Sequence, residues 1–298
     1  MPEVIKNPLK DLDLSKAIIV DAHLLKTFRA CQQKFNYFEI QHLVSNKRKA
    51  APSFGIALHE GIAEFRNNRR CDKPYSVALE AGAKTLLAAY QKHMPAESQS
   101  EVKQDDKRSP ANALRLFQGF CEKWEPLHYK YHYVEVPFSL YLGQVEAASL
   151  TDETMLKRDE VYVGIIDAVL EDRNLIYVDD LKSTGWNINQ EWLDGFKMDQ
   201  GLLGYLIAAR ELLGIKTNYA MIHAIWVQSE PKTGRGKPLS EYFHVNPIYW
   251  DEDQIAEWTQ NTLATVEAIE ESKAKGTWLM DFGQNCSAFN GCDHRPVC

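Results

Sequence analysis

Two aspartates and a lysine are the side chains in this 298-residue chain whose spacing points most directly to chemistry. In VYVGIIDAVL the odd positions Val161, Val163, Ile165, Asp167 and Val169 share one side of a strand, because side chains alternate with period 2. In LIYVDDLKS the even positions Ile176, Val178, Asp180 and Lys182 do the same. If the intervening EDRN forms a four-residue hairpin loop, Leu170 pairs with Leu175, Asp167 faces Val178, and Asp180 lies one diagonal step away. Opposite and diagonal partners lie about 5 to 8 Å apart, so both carboxylates and the lysine converge. Two carboxylates that close raise each other's pKa unless a cation lies between them, and Mg²⁺ or Mn²⁺ is the hard divalent ion suited to such a site. Lys182 beside it could orient or help deprotonate an attacking water, or stabilise negative charge in a phosphorane-like transition state. The plainer alternative is a solvated strand end on which Asp180 and Lys182 form a weak ion pair.

The carboxylates do not stand alone. Glu135 precedes them on its own strand, and FGIALHEG lies far upstream with Leu58, Ile62 and Phe65 at helical spacing. His59 shares a helix face with Gly55 and Ala63, whose small size lets a backbone or ligand approach, although a lone helical histidine is commonly a satisfied polar residue. Gly55 with His59, Gly164 with Asp167, and the run Asp180, Lys182, Ser183, Thr184 together resemble the PD-(D/E)XK nuclease superfamily in its RecB-like branch. That resemblance implies His59, Asp167, Asp180 and the Leu181 carbonyl as metal ligands, Lys182 as a catalytic residue, and Glu135 as an active-site or supporting carboxylate. The family's Q-x-x-x-Y helix finds its counterpart in DQGLLGYLIAAR, where Gln200 and Tyr205 stand five apart instead of four, so they share a face less well.

The ending NCSAFNGCDHRPVC carries Cys286, Cys292 and Cys298 with five residues between neighbours, a spacing unlike zinc knuckles or thioredoxin motifs. Cys31, in TFRACQQKF, is the candidate fourth thiolate. One cysteine upstream of the nuclease motifs and three at the end resemble the iron–sulfur subset of this family, with AddB-type, CRISPR-associated and phage-encoded members. The resemblance implies an iron–sulfur cluster, of the 4Fe-4S type, stapling the ends of the chain. Zinc on the same thiolates, or plain reduced cysteines, are the alternatives. Cys71 and Cys121 fall in expected helices and read as small buried hydrophobes.

The elements that must position these residues follow from periodicity. Helices dominate the first 125 residues, with Ser109 and Pro110 reading as an N-cap and first helical position and 95–108 as a polar connector. From His132 the texture turns to strands, followed by a helix over about Glu191 to Leu213, strands in NYAMIHAIWVQ and EYFHVN, and an amphipathic helix from Asp251. The family resemblance implies an α/β fold with a restriction-endonuclease-like core, a central mixed β-sheet flanked by helices, to which this chain adds an N-terminal helical region and a Cys-rich C-terminal tail. The expected organisation is an N-terminal extension over 1–20 and a single nuclease domain over 21–298. Within that domain 21–130 is helical, 131–250 is the sheet core, and 251–298 is the last helix with the cysteine tail.

Composition limits what such a protein can be. A balance of 41 acids against 34 bases gives a net charge of -7, which excludes a polycationic nucleic-acid coat and confines DNA contact to a local basic groove. Lys232, Arg235 and Lys237 in the Gly/Pro-rich hairpin loop are the candidate phosphate contacts, and Tyr37, Phe38 and Trp186 could stack on unpaired bases, with core packing as the ordinary alternative. The N-terminus lacks a signal-peptide run, and no stretch of 18 apolar residues occurs, so the expected location is cytoplasmic. The expected activity is a metal-dependent DNA exonuclease acting on single-stranded ends in recombination, repair or phage DNA processing. The contrasting reading is a non-catalytic DNA-binding or assembly subunit with the same fold. A helicase, recombinase or CRISPR partner is not identified by any motif.

Overall fold

The computed structural model describes residues 12–13, 16–43, 50–94, 107–124, 127–148, 155–231, 236–287 and 291–298. Lys232 and Arg235 of the hairpin loop, and most of the polar connector, lie outside the described residues.

The chain opens with a short strand, β1 (Ile18–Val20), then α1 (Ala22–Ala30), α2 (Gln32–Phe35) and a π-helical turn (Asn36–Ile40). Three long helices follow: α3 (Ala50–Arg70), α4 (Tyr75–His93) and α5 (Pro110–Trp124). The Ser109 hydroxyl accepts from the Asn112 N–H at 3.2 Å, so the expected cap is in place. The strands are β2 (Lys130–Ala148), β3 (Met155–Asp172) and β4 (Leu175–Thr184), then β5 (Tyr219–Trp226) and β6 (Phe243–Tyr249). Between β4 and β5 the single helix expected over 191–213 is three pieces: α6 (Gln190–Asp194), a 3-10 turn (Gly195–Met198) and α7 (Gln200–Leu213). The break has a local cause, because Asp199 is extended and its carboxylate caps α7 by accepting from the Leu202 N–H. Helix α8 (Glu252–Lys275) starts with a capping box formed by Asp251 and Gln254.

The sheet is mixed, as expected, with the order β1-β3-β4-β5-β6 and β2 on the other edge of β3. One face packs on α1, α7 and α8 through residues such as Tyr162, Leu206 and Trp258. The opposite face packs on α3, α4 and α5 through Phe54, Leu58, Phe117, Leu181 and Ile225. Burial on both faces explains why strands β4 and β5 are almost continuously buried instead of alternating.

Two features of β3 position the site. Along one edge β3 pairs with β1 only at Glu160–Tyr162 and with β4 only at Ala168–Asp172, so the edge between these stretches pairs with neither. The β3–β4 connection is also tighter than the four-residue loop expected: Asp172 pairs with Leu175, and the turn is Arg173 and Asn174 alone, with φ of 49° and 68°. That shorter turn moves the register, pairing Val169 with Val178 and Ala168 with Asp179, which sets Asp167 level with Asp180 instead of Val178. The apolar stripe expected beside Asp167 is also corrected, since Ile165 is 49% exposed, while Ile166 and Val169, three apart, both enter the same core cluster. Strict alternation fails at Asp167, where the sheet opens.

Candidate active site

At the opening in the sheet, the β3–β4 ladder gives way to a side chain. The Asp167 carboxylate accepts from the Leu181 N–H at 2.8 Å, in place of the next backbone rung. Since the N–H and C=O of one strand residue point to the same neighbour, the Leu181 carbonyl leaves by this edge too, and His59 hydrogen-bonds to the Leu181 backbone. Helix α3 brings the His59 Nδ1 to 3.6 Å from Asp167. Glu135 approaches from β2, and one ligand atom from each of His59, Glu135 and Asp167 lies within 4.8 Å of the others. Glu135 holds φ of 51°, an unfavourable backbone for a side chain with a Cβ, maintained where it faces the opening. From the far side of β4, Lys182 meets Asp180 at 2.5 Å.

The glycines of both motifs have visible work. A Cβ at Gly55 would lie 3.0 Å from the Ser183 hydroxyl, so α3 can approach β4 closely at this residue. At Gly164 a Cβ would meet the Phe138 ring at 2.8 Å and the Tyr205 ring at 3.0 Å, so its absence lets Tyr205 lie over β3 beside the carboxylates.

The electrostatics are those of a site that favours a cation. Burial, reinforced by the Asp167 charge, pushes the Glu135 carboxyl up to about 7. Asp180 is likewise pushed up to about 7, by burial first, with Lys182 pulling down and Asp167 pushing up. Burial would lower the Lys182 pKa, but the Asp180 carboxylate outweighs it and holds the ammonium protonated. His59 is shifted down, mainly by burial, which favours the neutral ring with a lone pair to donate. An imidazole and oxygen donors around carboxylates raised in this way fit a hard divalent ion such as Mg²⁺ or Mn²⁺.

Beneath this cluster lies a network that no local motif signals. Arg66, about two helical turns beyond His59 on α3, meets Asp179 at 2.7 Å, and the other Asp179 oxygen bonds to His223 of β5. All three side chains are buried, with Arg66 over the Phe120 and Tyr131 rings. The ion pair ties α3, which carries His59, to β4, which carries Asp180. Its partners are more than a hundred positions apart, so only the doubled acid of VDDLKS could have flagged it.

A family model described as the PD-(D/E)XK nuclease superfamily matches residues 22–298. The chain belongs to the PD-(D/E)XK nuclease superfamily. No curated protein matches its sequence. Among solved structures, one described as "Crystal structure of SSO0001" is similar at 13% identity, covering 81% of this chain and 84% of that chain with a TM-score of 0.28. In this PD-(D/E)XK protein Tyr205 lines the cavity that holds His59, Glu135, Asp167, Asp180 and Lys182. Gln200 does not. It is the first residue of α7, its carbonyl accepts from Trp258 Nε1 at 2.8 Å, and it lines neighbouring cavities. The five-residue spacing leaves it in the adjoining cavity, which shares Asp180, Lys182 and Tyr205 with this one.

The cysteine tail folds back on the segment around Cys31. The Gln33 N–H donates to the Leu279 carbonyl at 3.0 Å, Asn285 to the Ala30 carbonyl at 2.9 Å, and the Tyr37 hydroxyl to the Val297 carbonyl at 2.8 Å. Cys286 is raised by burial, then by Asp281 and by Cys31, Cys292 and Cys298 together, so the four sulfurs are electrostatic neighbours. Tyr37 thereby belongs to the tail packing and not to a base-stacking platform. Trp186 is 70% exposed. Of the hairpin-loop cations only Lys237 is described, and its ammonium lies over the Trp226 ring at 5.3 Å, off the walls of the active-site cavity. Cys121 is buried as expected, but Cys71 is exposed in the turn after α3, where the helix ends one residue earlier. Among the described residues no helix is long and apolar enough to cross a membrane.

Proposed function

We propose that this protein is a metal-dependent deoxyribonuclease that removes nucleotides from single-stranded DNA ends, in recombination, repair or phage DNA processing. The observation that carries the reading is the meeting of His59, Glu135 and Asp167 within 4.8 Å, beside the Lys182 and Asp180 pair, where β3 pairs with neither β1 nor β4. His59, Asp167, Asp180 and the Leu181 carbonyl would hold Mg²⁺ or Mn²⁺, with Glu135 completing the set. When bound, the ion supplies Lewis acidity at the scissile phosphate and lowers the pKa of water. The chain's own residues do the rest. The Leu181 N–H fixes the Asp167 carboxylate. The Lys182 ammonium, held protonated, donates to the phosphate oxygen on which negative charge builds. Tyr205, whose hydroxyl is pushed up to about 12 by burial and Asp180, stays neutral and positions the strand as a donor. Lys232, Arg235 and Lys237 would add phosphate contacts.

Cys31, Cys286, Cys292 and Cys298 would bind an iron–sulfur cluster of the 4Fe-4S type, and the hydrogen bonds between the tail and the α1–α2 region support this. Its role is to staple the two segments, without redox chemistry. End-labelled linear and circular single strands incubated with Mg²⁺, Mn²⁺ or EDTA test the activity. Linear strands are shortened with either ion, circles persist, and EDTA stops the reaction. Equal cleavage of circles overturns the end preference, and cleavage undiminished in EDTA overturns the metal reading.

A further inference from the structure

We infer that the groove along α1 is the seat of the retained strand of a single-stranded substrate, an inference that rests on the nuclease reading. The active-site cavity continues into a second one of about 520 Å³, and the two share Asp180, Lys182 and Tyr205. Their far walls differ in charge. On the α3 side the wall carries Glu60, Glu64, Glu135 and Asp167, which repel a phosphate backbone. The α1 side carries His23, Lys26 and Arg29, at i, i+3 and i+6 and therefore on one helix face.

Each basic residue is placed to face a strand. His23 leans edge-on against the Phe38 ring at 5.7 Å. Arg29 is held by Thr265 Oγ1 at 2.6 Å and the Asn261 carbonyl at 2.8 Å, which orders its guanidinium beside the groove. Lys26 is exposed and reaches into the groove from between them. The opposite rim is apolar, with Phe196 and Met198, the latter 82% exposed. Two cations and an imidazole facing an apolar rim suit phosphates on one side and unpaired bases on the other, a demand that only a single strand meets. Asp199, the acid on this wall, has its carboxylate engaged as the cap of α7.

The test is fluorescence anisotropy of the full chain with fluorescein-labelled oligothymidylate, with Ca²⁺ in place of Mg²⁺. Lys26→Glu weakens binding about tenfold and lowers the salt slope by about 0.7, the value for one phosphate contact on a single strand. Lys26→Gln falls between, and Lys216→Glu, the same charge change beyond the far end of α7, leaves affinity unchanged. If Lys26→Glu binds as tightly as the unaltered protein, or loses no more than Lys216→Glu, the α1 track is overturned. Nuclease activity of the unaltered protein, assayed in parallel with Mg²⁺, stands or falls separately and tells failure of this inference from failure of the nuclease reading.

Discussion

Arg66 meets Asp179 at 2.7 Å with both side chains sealed from solvent, on the helix that carries His59 and the strand that carries Asp180. Removing one partner of a buried pair leaves the other charge uncompensated, so Arg66→Ala should cost about 3 to 5 kcal/mol. Urea titrations followed by circular dichroism measure this. A loss under about 1 kcal/mol, the range of exposed pairs, would show that the pair is not sealed.

This pair also marks the boundary of what could be read in the sequence. Helix α3 with His59, and the two carboxylate strands, were legible because apolar periodicity and short turn-rich flanks are local signals. The register between Asp167 and Asp180 was not, because it depends on whether EDRN spends four residues or two in the turn, and alternation alone cannot decide that. Strand β1, of three residues, is too short to carry a pattern and exists because Glu160–Tyr162 offers it an edge. The α6–α7 break is marked locally by Gly195, Asp199 and Gly201, but Trp192, Phe196 and Leu203 keep helical spacing across it and read as one helix.

The active-site reading makes a chemical demand. Asp180→Asn should reduce cleavage by at least about a thousandfold while leaving the fold intact, since the carboxyl is already pushed toward its neutral form by burial. Lys182→Ala should retain Mn²⁺ binding by calorimetry yet lose rate. Unchanged turnover in either variant would remove that residue from the chemistry.

Glu160 is buried with no hydrogen-bond partner on either oxygen among the described residues, and burial together with Glu267 raises its carboxyl from 4.5 to about 7. The folded protein therefore holds this proton more tightly than the unfolded chain does. The resulting stability is full below about 4.5 and is lost as pH rises through about 7, a change of up to about 3 kcal/mol. Glu160→Gln should abolish this loss, so its melting temperature exceeds that of the unaltered protein at pH 8 by more than at pH 5. Parallel Tm profiles would contradict the assignment.

The cysteines divide by position. Cys31→Ser and Cys298→Ser should each abolish bound iron and the broad visible absorption of anaerobically purified protein. Cys71→Ser, in an exposed turn, should change neither metal content nor stability. Cys121→Ser should keep the iron but cost about 1 to 3 kcal/mol, because its hydroxyl would be buried in the α5 core. Colourless protein carrying one zinc would keep the four-thiolate site and remove the cluster.

The turn at Arg173 and Asn174 is exposed, and five rungs, about 17 Å, separate it from the level of Asp167 and Asp180. Its length is nonetheless what fixes their alignment. One residue inserted there would slide β4 by a single step and rotate Asp180 and Lys182 onto the face now held by Asp179 and Leu181. A survey ranking positions by nearness to His59, Glu135 and Asp167 would score this turn as inconsequential. Substitutions that keep the positive φ at both positions, such as Gly or Asn, would agree with that score, and a one-codon insertion would dismantle the alignment of Asp167 with Asp180 from a site that touches neither.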